Sequence, residues 1–222
     1  MTNPEFSNEF DILYNNIMSN QAPGLDEYEK SVLLTQAQED IIKSVYSGKQ
    51  ISESFEMTEE VRRYLNELIN TYTTETKVKG KGLLDSSVFF SLPDNPKVWF
   101  ITYESVILED VKLGCKNNTN ALVVPVTQDS FYRVYNNPFR GANNRQVLRL
   151  DNNKDIIELI SKYNIKSYLV RYIAKPTPII LYNLDGDLTI DGINTQTECK
   201  LNPVLHRSIL ERAVQLASAL YK

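Results

Sequence analysis

Imidazole and thiol are scarce in this chain. Its 222 residues hold one histidine, His206, and two cysteines, Cys115 and Cys199. A multi-histidine metal centre is therefore excluded. The cysteines lie far apart and fit no metal or redox spacing, which reads as two reduced thiols in a chain folded in a cytosol. Long apolar runs are missing too: stretches such as Pro178–Tyr182 fall far short of the roughly 20 residues that span a bilayer. A polar, acidic start without a basic and then apolar segment gives no expectation of a secretory signal. Positive charge is not in excess. Against 24 Lys and Arg stand 28 Asp and Glu, a net −4, which makes a poor generic DNA binder while leaving room for a local basic face.

What is present is ordinary globular material. Hydrophobic residues make up 42% and charged residues 23%, which argues against wholesale disorder. The length suits one large domain, or a compact body carrying an elaborated insertion. Residues 1–70 read as helices. Asn3 is placed to cap the first, with Pro4 in its opening turn and Phe6, Phe10, Leu13 and Ile17 on one face. Breakers at 20–24 end it. Asp26 or Ser31 caps a second helix striped by Leu34, Ala37, Ile41 and Val45, with Gly48 just beyond it. A third, shorter helix is expected from Thr58, presenting Val61, Leu65 and Leu68.

From about Tyr72 the pattern turns to β. Strands are expected at 71–74, 76–78, 88–90, 98–108, 121–126, 147–150, 166–173 and 179–184, with helical interruptions at 128–135 and 153–163. Asp185-Gly186 and Asp191-Gly192 bracket a short strand at 188–190 with hairpin turns. Asn202 and Pro203 open a terminal helix carrying Leu205, Ile209, Ala213, Leu216 and Leu220. Leu210, Val214 and Ala217 widen its apolar sector beyond what a monomeric surface helix requires, and Leu216→Asp would place a charge on that face. The fold class is α+β: N-terminal helices (1–70) and a C-terminal helix (202–222) packed together as a body, with a β-rich insertion at 71–201.

Candidate chemistry is thin. Gly80 and Gly82, between Lys79 and Lys81, superficially resemble a phosphate loop, but neither G-x-x-x-x-G-K-[ST] nor G-x-G-x-x-G is present; a basic hairpin tip fits better. His206 has no nucleophile or orienting carboxylate at a diagnostic spacing, and G-x-S-x-G is absent. Asp185, Asp187 and Asp191 break the alternation of a Ca²⁺ loop and fit turns instead. The most distinctive segment is 129–141, where Phe131, Tyr132, Tyr135 and Phe139 lie beside Arg133 and Arg140. Such a cluster stacks bases in some proteins and forms cores or protein interfaces in others. No catalytic, cofactor-binding or metal residue is expected. A nucleic-acid-binding accessory protein using Lys77, Lys79 and Lys81 with Arg133 and Arg140 is the rival reading. An enzyme built around Asp185, Asp187 and Asp191 is a third.

Four blocks carry a resemblance: EFDILYNNIMSNQAPGLDEYEKSVLLTQAQEDIIKSVY at 9–46, PVTQDSFYRVYNNPFRG at 125–141, IELISKYNIKSYLVRYIAKPTPIIL at 157–181 and LNPVLHRSILERAVQLA at 201–217. Together they resemble ring or portal-adaptor structural proteins of crAss-like and related Bacteroidetes-infecting tailed phages. Residues 71–124 do not share in it. The resemblance implies a virion protein, made in the host cytoplasm, of the neck and tail. Its copies would form a homododecameric ring in the head-to-tail connector or tail barrel. The implied partners are further copies of itself, the portal protein and neighbouring ring proteins. Genomic DNA would pass without specific binding, and no cofactor, catalysis or membrane is implied. Two different lateral faces per subunit are what a closed heterologous ring needs. The terminal helix, the 129–141 segment and the β insertion are the candidate surfaces.

Overall fold

A computed structural model describes residues 1–18, 23–47, 63–153 and 155–220. The chain divides into two compact units, Met1–Leu68 with Pro176–Lys222, and Ile69–Lys175. The segment 176–201 lies with the helices in this division.

The first unit is built from α1 (Asn3–Met18), α2 (Glu27–Ser47) and a long C-terminal helix at Pro203–Leu220. Thr2, rather than Asn3, precedes α1: its carbonyl accepts from Phe6 N at 3.0 Å and its amide donates to Glu5 at 2.7 Å. Asn3 is freed to point inward, where its side-chain amide donates to the carbonyls of Ile180 and Thr197 at 2.9 and 3.2 Å. Asp26 opens α2 with a reciprocal capping box. Its carboxylate accepts from Glu29 N at 2.7 Å, and its own amide donates to Glu29 at 3.0 Å. Leu34, Ala37, Ile41 and Val45 are all buried as expected, whereas on α1 Tyr14 takes the inward place and Ile17 is 52% exposed. The expected positions of Gly48 and most of the third helix, from Thr58 through Val61, lie outside the described residues. Leu65 and Leu68 are buried.

Lys30 joins α1 to α2. Only 4% exposed, its ammonium sits 2.7 Å from Asp11 and 3.2 Å from Glu27. Burial alone would push this lysine down, but hydrogen bonds to the two carboxylates outweigh it and the net shift is upward.

The run 179–184 is extended but not a ladder strand. Its one bridge joins Ile180 to Thr197, Leu184 N donates to Asn194 O at 2.8 Å, Asn3 of α1 donates to Ile180 O, and side chains of α2 meet further backbone groups in and beside the run. Leu181 N donates to Ser31, Ile179 N donates to Thr35, and Gln38 donates to Thr177 O, at 3.1, 3.1 and 3.3 Å. Ser31, Thr35 and Gln38 recur at steps of four and three, so one helical face lines up donors and acceptors against an extended segment. The segment 188–190 is likewise no strand. Ile190 and Ile193 exchange backbone bonds around Asp191-Gly192, both with positive φ (53° and 79°), a type I′ turn.

The second unit is a curled seven-stranded sheet in the order β1-β7-β3-β4-β5-β6-β2. The strands are β1 (Ile69–Thr74), β2 (Val88–Ser91), β3 (Val98–Leu108), β4 (Thr119–Pro125), β5 (Gln146–Asn153), β6 (Ile156–Ile160) and β7 (Ile165–Ala174). Only β4 and β5 pair in parallel, and the connection between them carries the short helix α3 (Phe131–Tyr135). The expected helix at 153–163 is instead β6. Ile156, Ile157, Leu159 and Ile160 are apolar at a spacing that suits either state, and antiparallel pairing with both β5 and β2 decides for a strand. The interruption at 128–135 is helical only over α3, and 76–78 contributes a single bridge, Val78 to Phe89. One core lies within the curl, around Phe90, Val106, Val123, Leu159 and Tyr168. A second lies on the opposite face, where Phe131 and Ala142 cover Leu148, Leu150 and Ile160.

The terminal helix, now α4 (Pro203–Leu220), has the wide apolar sector read from sequence, and it packs on both α1 and α2. Leu205, Ile209, Leu210, Ala213, Val214 and Ala217 are buried there, while Leu220 is exposed. The breadth comes from contacting two helices of its own chain. Leu216 is only half-buried. Leu210→Ala should therefore cost about 2–5 kcal/mol, and Leu216→Ala or Leu216→Asp distinctly less. Urea denaturation checks this, and equal losses at the two positions would contradict the packing.

Candidate functional site

The basic tip at 77–82 is laid against the sheet. Lys77 donates to Asn164 at 3.0 Å, and Lys79 and Lys81 are exposed. The two glycines permit close approach. A Cβ on Gly80 would come within 2.7 Å of the Phe89 ring, and one on Gly82 within 2.3 Å of Glu158. Glu158, 4% exposed, accepts from Leu83 N at 2.9 Å and from the Ser87 hydroxyl. Glycine here serves packing.

The aromatic-arginine segment divides in two. Phe131 is fully buried, with its ring centroid 5.5 Å from that of Tyr135, and both belong to the second core. Tyr132 and Phe139 face outward, at 58% and 88% exposure, and Arg133 and Arg140 are exposed. The loop that carries Phe139 is firmly built. The Asn137 side-chain oxygen accepts from the amides of Phe139 and Arg140 at 2.9 and 3.1 Å, and Gly141 N donates to Asn137 O at 2.7 Å. Gln146, at the start of β5, donates to Gly141 O at 3.0 Å. A Cβ on Gly141 would meet Tyr135 O at 2.7 Å, so the loop needs glycine there.

Asp185 and Asp187 are exposed turn residues, as is Asp191. No group of three potential metal ligands occurs among the described residues. His206 is buried beneath Phe6, ring centroids 5.4 Å apart. Its Nε2 faces Leu201 O at 2.8 Å and its Nδ1 faces the Met1 amine at 2.6 Å. A carbonyl only accepts, so Nε2 carries the proton and Nδ1 accepts from the ammonium. The ring is neutral, and burial first, with the nearby ammonium, holds its pKa below 6.5. Cys115 is exposed, Cys199 is half-buried with its thiol pushed up by burial, and both are free.

A polar cluster unforeseen from sequence lies inside the curl of the sheet. Glu104 on β3, 5% exposed, accepts from the Tyr168 hydroxyl on β7 and from Arg149 on β5. Arg149 Nε also lies 3.1 Å from Asp151, whose side chain is 72% exposed. Burial pushes the Glu104 carboxyl up. Tyr168 and Arg149 pull it down, and burial prevails. Burial and the neighbouring carboxylate push the Tyr168 hydroxyl up as well. Beside this cluster opens a cleft of about 550 Å³, walled by Leu92, Val98, Trp99, Phe100, Ile101 and Ile157, with Arg149, Asp151 and Asn152 at its polar side. The signal for the cluster was a charge on the same strand face as Val106 and Leu108, two and four residues on, which demands a partner. Which strand supplied that partner depended on the β3-β4-β5 and β3-β7 pairings.

Two pH effects follow. A carboxyl that holds its proton more tightly folded than unfolded stabilises most at acid pH and loses that contribution as pH rises through its folded value. Arg149→Met should destabilise the sheet by about 3–5 kcal/mol at neutral pH. That loss should shrink as pH falls toward 4.5, the ordinary value for Glu104. Denaturation across pH tests this, and a loss independent of pH would contradict it. His206 acts oppositely: its pKa is lower folded than unfolded, so stability falls as pH drops below 6.5. His206→Gln should remove that part of the pH dependence from a thermal-melting profile; an unchanged profile would contradict the neutral ring.

Comparison with known proteins gives the cluster and the loops their setting. The sequence pattern of the phage tail ring protein 3/4 family matches residues 1–222. The chain is 56% identical over 220 residues to Ring protein 3 of Bacteroides phage crAss001, covering 98% of this chain and 95% of that one. It is 38% identical over 229 residues to Ring protein 4/5 of the same phage, covering 98% and 92%. With a match along the full length and two close relatives, the chain belongs to the phage tail ring protein 3/4 family and is a structural ring protein of a crAss-like phage virion.

Proposed function

We propose that copies of this chain close into a homododecameric ring in the head-to-tail connector or tail barrel, stacked against the portal or neighbouring ring proteins, with genomic DNA passing through the bore. The observation that carries this reading is the full-length family match. The surface of the sheet unit supports it. Large apolar side chains stand outside, Phe139 at 88% on its pinned loop, Val111 at 94% and Tyr132 on α3 at 58% exposure, and exposed aromatics beside arginine suit the buried centre of a protein interface. Interfaces above about 1,000 Å² would hold such a ring. In this reading the chain works by assembly and uses no catalytic residue, metal or cofactor. A net charge of −4 suits a conduit that does not grip phosphate.

Of the residues the nucleic-acid reading uses, Lys79, Lys81, Arg133 and Arg140 are exposed and Lys77 bonds Asn164, while Phe131 lies in a core with Tyr135 packed against it. Mass photometry of the purified 25.5 kDa chain, with a DNA-binding titration across salt, separates the two. A closed dodecamer with negligible DNA affinity is expected. A lasting monomer, or binding that weakens steeply with salt, would contradict it.

A further inference from the structure

We infer that Phe139 of one copy seats in the Trp99–Phe100 cleft of the next, with Arg140 facing Asp151 at its mouth, forming the lateral contact of the ring. This rests on the ring reading above and names the residues that would make it.

The knob is Phe139, an aromatic side chain almost wholly in water on a loop pinned by Asn137, Gly141 and Gln146. Fixing such a loop in advance lowers the entropy lost on binding. The hole is the 550 Å³ cleft whose walls include Trp99, Phe100 and Ile101, each half-exposed. An aromatic ring there would gain apolar burial and ring–ring contact. Charge matches as well. Arg149 at the cleft bonds the buried Glu104 and also reaches Asp151 at 3.1 Å, and the Asp151 side chain, 72% exposed, keeps a face open to a second cation. Arg140, next to the knob, supplies the opposite sign.

Placement within the sheet makes the contact intermolecular and head-to-tail. Gln146 ties the knob loop to the first residue of β5, whereas Asp151 lies five residues further along the same strand. At about 3.3 Å per residue the two ends are roughly 16 Å apart. A knob and a hole at opposite ends of one strand make a heterologous interface, which closes into a ring when the rotation between copies allows it.

The test places a photoreactive side chain at the knob, Phe139→p-benzoylphenylalanine, in a mixture of ¹⁵N-labelled and unlabelled full-length chains. After irradiation, mixed-isotope links from position 139 to residues 92–101 or 149–157 are expected. Links to another segment or another protein, or none in rings of the right mass, would overturn the inference and leave the ring reading standing. A chain that never assembles would remove both. Assembly supplies a second readout. Phe139→Ala should raise the half-assembly concentration about tenfold or more. Arg140→Gln and Asp151→Asn should each raise it about threefold, and the double variant no further than the larger single effect. Additive losses would break the charge pairing.

Discussion

The closure of α4 onto α1 and α2 constrains everything else. Its broad apolar sector is used up within the chain, because one helix covers two neighbours at once. The two ends of the sequence are thereby held in one unit, and the sheet unit, Ile69–Lys175, is threaded between them. The large apolar side chains that α4 leaves outside are confined to its ends, Val204 at 61% and Leu220 at 70% exposure. Among the large apolar side chains of the sheet unit, Val111, Phe139 and Tyr132 are the most exposed.

Buried polarity in the two units is handled by the same physics in different geometries. In the helical unit, Ser31, Thr35 and Gln38, with Asn3 of α1, serve the backbone of an extended segment whose backbone pairing is confined to Ile180 with Thr197 and Leu184 with Asn194. Unmet backbone groups cost about as much as a lost hydrogen bond, so polar side chains on an inward helical face are required there. Inside the sheet, Glu104 is met by Tyr168 and Arg149, and in the helical unit Lys30 is met by Asp11 and Glu27. The Glu104 cluster ties together β3, β5 and β7, and the Lys30 cluster ties α1 to α2.

Much of this was legible in the residues. The α+β class, Asp26 as one of two candidate caps of α2 (the other, Ser31, lies inside the helix), the stripe on α2, the opening of α4 at Asn202-Pro203, the Asp191-Gly192 turn and most strands follow from local pattern. What failed was set by tertiary pairing. IIELI at 156–160 fits a helix until β5 and β2 claim its two edges. Ile179–Leu184 reads as a strand, but helical side chains meet its backbone instead. Asn3 looks like a cap, yet Thr2 with Glu5 does that work and Asn3 is drawn into the interior. The aromatic segment was visible as a cluster, but its division into buried Phe131, half-buried Tyr135 and exposed Tyr132 and Phe139 needed the second core. The Trp99–Phe100 cleft and the Glu104 cluster arise from three or more strands, and no spacing along the chain announces them. The ring identity itself came from long blocks of resemblance, since composition excluded other classes without pointing to this one.

Averaged images of purified virions at a resolution that traces side chains would test the central claim most directly. The expected result is this chain arranged around the tail axis, its helical units folded as separate bodies and the 139–140 loop buried between adjacent copies. Finding the chain absent from the particle, or present as isolated copies with that loop in solvent, would contradict it.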